Sequence, residues 1–102
     1  MKVFDMHIHA NASKPEPKRL LEQMAAGGAY GGCIFSNQPA LPSGGTNTIF
    51  ATGTGFQERL DEVLAWTKDA QDRLFPVLWI HPDEENILEN IERAVDAGIS
   101  GF

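Results

Sequence analysis

Four short apolar stretches in this chain are separated by segments whose apolar residues recur at helical spacing. That alternation leaves few folds open. Residues 3–9 have strand character, and Ser13-Lys14-Pro15-Glu16 after them resembles a capping box, with proline accepted in a first helical turn. The helix it opens carries Leu20, Leu21 and Met24 on one face and stops at Gly27-Gly28. Residues 31–35 predict a second strand, and a polar, glycine-rich stretch fills 38–56. Leu60, Val63, Leu64, Thr67 and Leu74 then fit a helix over 57–72. Residues 75–80, rich in Val, Leu, Trp and Ile, predict a third strand. Asp83 is placed to cap a third helix with an apolar face of Ile87, Leu88, Ile91, Ala94 and Val95, ended by Gly98. Residues 99–102 read as a fourth strand. Strands alternating with helices of this size form βαβ units, hence an α/β fold with parallel strands and right-handed crossovers. A parallel sheet needs cover on both faces, and the fourth strand has no helix after it, so residues 1–102 read as one partial domain.

The chemistry is concentrated in the first strand, Asp5-Met6-His7-Ile8-His9. Side chains alternate across a strand, which predicts that Val3, Asp5, His7 and His9 share one face and Phe4, Met6 and Ile8 the other, under helices. Residues two apart on one face lie roughly 6.5–7 Å apart. From that spacing two imidazoles can converge on one ion beyond the strand end, with bonds of about 2.0–2.1 Å if the ion is zinc. In parallel α/β folds this C-terminal edge is where ligands bind. A lone inward histidine is usually satisfied by a hydrogen bond; two on one face at this edge point to a divalent metal held by His7 and His9. Asp5, one step deeper, is expected to orient an imidazole.

Charge and cysteine content narrow the partners. The formal net charge is −6, with Lys and Arg scattered, which argues against nucleic acid or an anionic membrane. No apolar run approaches the roughly 18 residues of a membrane span, and the N-terminus lacks a signal-peptide pattern. The single Cys33 excludes an intramolecular disulfide framework and fits a reducing compartment. A cytoplasmic protein acting on a small molecule is the expectation.

The stretch "FDMHIHA" at the end of an N-terminal strand, followed by βα units of this size, resembles the amidohydrolase superfamily. It is most similar to the amidohydrolase-2 branch of TIM-barrel metal-dependent hydrolases. "FPVLWIHPDEENILENIERAVDAGISGF" is similar to the same branch, so the likeness spans nearly the whole chain. The resemblance implies the first three and a half units of a (β/α)8 barrel. It also implies a centre of one or two metals, commonly zinc, that activates water for attack on an amide, lactone or related carbonyl; some members of the branch are decarboxylases or hydratases instead. His7 and His9 match the family's ligands; its other ligands and its acid/base group come from later strands. A barrel of this kind takes about 250 residues. The 102 residues are therefore read as a fragment, an assembling unit or a degenerate relative, with the fragment favoured and inactive alone. Two alternatives stand beside this reading: a metallophosphoesterase or nuclease barrel that also begins His-x-His, and a non-catalytic half-barrel that self-associates through its open sheet edge.

Weaker signals lie at the same edge. His81, before Pro82, and Asn37, in Ser36-Asn37-Gln38, are candidate substrate contacts. The stretch 38–56 exceeds ordinary βα loops of about 2–6 residues and is read as part of the substrate pocket. Gly53-Thr54-Gly55, ahead of a helix, is read as a flexible loop. Cys33 is expected to pack as a small hydrophobe, Glu84 and Glu85 to lie on a solvated face, and Trp66 and Trp79 to serve packing.

Overall fold

A computed structural model describes residues 1–9, 15–41 and 53–102. The chain alternates as expected: β1 (Phe4–His9), α1 (Pro17–Ala26), β2 (Gly31–Phe35), α2 (Phe56–Thr67), β3 (Leu74–Val77) and α3 (Ile87–Ala97). The strands form one parallel sheet in the order β1-β2-β3. Residues 99–102 come alongside β3 as anticipated, but only through a single parallel bridge between Val77 and Gly101. Two flanking bonds hold it, Ser100 N–H to the Pro76 carbonyl and Leu78 N–H to the Gly101 carbonyl.

Register divides the sheet into two faces. Gly32 and Ile34 of β2 align with Leu74 and Pro76 of β3, and this side meets the helices. Ile34, Leu74 and Leu78 are fully buried there with Leu60, Val63 and Trp66 of α2, Met24 of α1 and Ala94 of α3. Cys33 and Phe35 align with Phe75 and Val77 on the opposite side. That face is also apolar, as parallel strands between two layers require. Phe4 lies across it, its ring 5.7 Å from Tyr30 and 6.2 Å from Phe75.

Several boundaries differ from the sequence reading. Helix α2 ends at Thr67, five residues before the expected 72, and Leu74 opens β3 rather than closing the helix. The Thr67 hydroxyl turns back to the Val63 and Leu64 carbonyls, and residues 67–74 follow a turn bonded through Ala70. The turn places Leu74 in the core, so burial in the sheet overrides the helical period. β3 leaves its ladder with β2 after Val77, so 78–80 lie beyond it. Glu16 precedes α1 without a side-chain cap, while Ser13 and Lys14 of the expected capping box lie outside the described residues. Asp83 does not cap α3: the helix starts three residues later, after Asn86, which has a left-handed backbone (φ 53°) and makes no side-chain cap. Gly98 ends α3 at φ 103°, a conformation glycine adopts without a Cβ penalty. Only part of the α3 stripe is covered: Ala94 is buried and Ile87 and Ile91 half-buried, but Leu88 and Val95 are exposed. Among the described residues, no helix is long and apolar enough to cross a membrane.

Candidate functional site

The strand that carries the histidines is bulged. Phe4 and Asp5 pair with Gly31 and Gly32, whereas Ile8 and His9 pair with Ile34 and Phe35, so Met6 and His7 together oppose Cys33. The extra residue resets the alternation. His9 falls on the face of Phe35, and the His7 ring stacks on Phe35 with centroids 4.5 Å apart. His7 and His9 thus share a face, as expected, but Phe4 joins them there, while Asp5 and Ile8 fall with Gly32 and Ile34. Regular alternation had grouped Asp5 with the histidines; the bulge separates them. Met6, expected beneath helices, is 67% exposed.

The two imidazoles meet edge to edge, His7 Nε2 2.9 Å from His9 Nε2. As a hydrogen bond, the contact needs a proton on one nitrogen and a lone pair on the other. The spacing also suits a shared cation. Two nitrogens about 2.05 Å from zinc lie about 3.3 Å apart at the tetrahedral angle and about 2.9 Å apart at 90°. A shift of a few tenths of an ångström converts one arrangement into the other. The donors fit zinc in kind and in spacing, but they are two. Among the described residues no third His, Cys, Asp or Glu joins them.

The pair stands at the C-terminal edge of the sheet, in a concavity of about 340 Å³ that Phe35, Trp79, Ile80 and Phe102 also line. The His9 ring centroid is 5.9 Å from Phe35 and 6.5 Å from Trp79. Trp79, read from sequence as packing, is half-buried and forms one wall.

The other candidates stand apart from this concavity. The Asp5 carboxylate accepts from the main-chain N–H of His7 at 3.0 Å, so it braces the bulge through the backbone. Asn37 donates through Nδ2 to Glu62 on α2 at 3.1 Å. His81 accepts at Nδ1 from the Asp83 N–H at 3.2 Å. Neither Asn37 nor His81 lines the concavity. Most of the long stretch read as pocket (42–52) lies outside the described residues, but its two ends are joined. Pro39 and Thr54 form a parallel bridge, with Ala40 N–H on the Thr54 carbonyl and Thr54 N–H on the Gln38 carbonyl. Gly53 makes this closure possible: a Cβ there would sit 2.1 Å from the Pro39 carbonyl oxygen.

Sequence reasoning passed over the buried polar residues beneath the site. Arg59 is fully buried and pairs with Glu84 at 2.6 Å. Glu84, expected on a solvated face, has a side chain only 7% exposed. The guanidinium is the physical reason, since it supplies the countercharge that makes burial of a carboxylate tolerable. A signal was present: Arg59 sits three residues after Phe56 and four before Val63, a cation on the apolar face of α2. Ser36, grouped with the substrate-facing residues, is buried and accepts the Trp79 N–H at Oγ.

Comparisons with protein-family models, with curated proteins and with solved structures found no match to this chain.

Proposed function

We propose that this chain is the N-terminal βα portion of a (β/α)8 barrel of amidohydrolase type, a metal-dependent hydrolase in which His7 and His9 are two ligands of a divalent ion. The observation that carries the reading is the convergence of the two Nε2 atoms, 2.9 Å apart, at the C-terminal edge of a parallel sheet. The sheet is apolar on both faces and the described helices cover one, which suits strands that curve around a closed interior. When bound, a zinc-like ion would supply Lewis acidity toward a substrate carbonyl and the activation of water. The chain's own residues hold and shape. Phe35 stacks on His7 and limits its rotation, and the Asp5 carboxylate braces the bulge that aims it. Phe35, Trp79, Ile80 and Phe102 give the pair an apolar lining against which a bound amide or lactone would lie. Two donors are fewer than the three protein ligands of catalytic zinc sites, so the reading requires further donors beyond those described here.

Titration with Zn²⁺ or Co²⁺, followed calorimetrically, tests the ligand assignment. One ion per chain is expected, with affinity weakened by more than about tenfold, or about 1.4 kcal/mol, in His7→Ala and in His9→Ala. Binding that survives both substitutions would remove the pair from the site. A panel of amide, lactone and phosphate-ester substrates, offered to a protein carrying all its metal donors, separates the hydrolase from a phosphoesterase.

A second reading, self-association as a half-barrel, has its own observation. The outer edge of β1 has no strand beside it among the described residues, and Val3, Phe4 and Met6 are exposed along it. Light scattering that finds a monomer across the micromolar range would dismiss it.

A further inference from the structure

Strand β3 ends at Val77, so the peptide groups of Trp79 lie beyond the ladder, yet both are bonded by side chains. The Trp79 N–H donates to Ser36 Oγ at 2.9 Å, and its carbonyl accepts from Arg59 Nε at 3.1 Å. Ser36 is 1% exposed and Arg59 is wholly buried. The rest of the guanidinium is also committed. Nη1 donates to the Thr54 carbonyl at 2.6 Å, at the closure of the long loop, and Nη2 donates to Glu84 at 2.6 Å. The second oxygen of Glu84 accepts the His81 N–H at 2.8 Å. Burying a guanidinium is costly, and packing alone would be served by leucine or methionine at this helix position. What the planar fork adds is direction, fixing three groups at set angles at once.

We propose that Arg59 and Ser36 are positioning residues of the candidate site, pinning the two peptide groups of Trp79 so that its indole stands as the wall facing His9. The proposal rests on the reading of the His7–His9 concavity as the site. Neither residue lines that concavity; they act through Trp79 alone. The wall's position sets how thick a substrate can lie against the imidazoles. Glu84 completes the device by holding the guanidinium from its far side.

The chain has two tryptophans, so a Trp66→Phe background leaves Trp79 as the sole indole. In that background Ser36→Ala and Arg59→Lys are compared with their parent at a temperature where circular dichroism shows all three folded. Two readouts are taken: acrylamide quenching of Trp79, which needs no metal, and quenching by titrated Cu²⁺, which reports an ion at the imidazoles. In each variant the acrylamide quenching constant is expected to rise about twofold, and the Cu²⁺ quench amplitude to fall by about as much, as the held geometry loosens. Cu²⁺ affinity should stay at the parental value, because both imidazoles are untouched. Unchanged acrylamide quenching in both folded variants would overturn the positioning role and leave Arg59 and Ser36 as structural residues. Should Cu²⁺ fail to quench even the parent, the metal reading of the histidines falls, and the acrylamide series still decides the positioning role.

Discussion

Removing both partners of the Arg59–Glu84 pair should cost less than the two single removals added together. The side chains are 0% and 7% exposed, which separates this pair from surface ion pairs worth about 0–1 kcal/mol. In Arg59→Met the Glu84 carboxylate stays buried with, among the described residues, the His81 N–H as its remaining donor, and the Thr54 and Trp79 carbonyls each lose a donor. Uncompensated burial of this kind destabilises by about 3–5 kcal/mol. Single domains have only about 5–15 kcal/mol in total. At about 4–8 °C per kcal/mol for a chain of this size, the loss lowers Tm by tens of degrees. Glu84→Gln keeps an oxygen acceptor for the guanidinium and should cost about 1.5–3 kcal/mol, the range for a hydrogen bond to a charged group. The double variant removes both desolvated charges and fills the space with methionine. It should be more stable than the sum of the single losses predicts, by about 2–3 kcal/mol, within the coupling range of contacting pairs. Urea unfolding of all four proteins, followed by circular dichroism, measures the cycle. A loss below about 1 kcal/mol for Arg59→Met, or strict additivity in the double variant, would refute the argument that burial gives the pair its weight.

Two further outcomes follow from local geometry. Ile34→Ala empties a fully buried position at the centre of the sheet and should cost about 2–5 kcal/mol in the same urea experiment, with the sheet otherwise retained. Gly98→Ala places a Cβ on a backbone at φ 103°, and should destabilise by about 1–2 kcal/mol although no atom lies within 4 Å of the added carbon. A steric cause would give the opposite ranking, with little loss at this open position.

Residue order alone determined the alternation of strands and helices, and with it the parallel sheet, because burial of one helix stripe and of short apolar strands leaves periodic marks. Leu60 and Val63 on α2, Met24 on α1 and Ile34 on β2 are core residues as their spacing implies. The shared face of His7 and His9 was likewise legible, since they are two residues apart within one strand. The companions of that face were not. Register with β2 creates the bulge that brings in Phe4 and moves Asp5 away, and register is a property of two strands together. Leu74 fitted the period of α2 as well as it fits β3, and only its place in the sheet core decides between them. The pairing of Arg59 with Glu84 joins residues 25 positions apart. Glu84 by itself reads as solvent-facing and Arg59 as a cation on an apolar stripe, and only the fold brings them close enough for both to be buried. The wall at Trp79 has the same origin. Its side chain is an ordinary apolar residue in sequence, and it stands where it does because Ser36 and Arg59, from two other elements, bond its peptide groups where the ladder has ended.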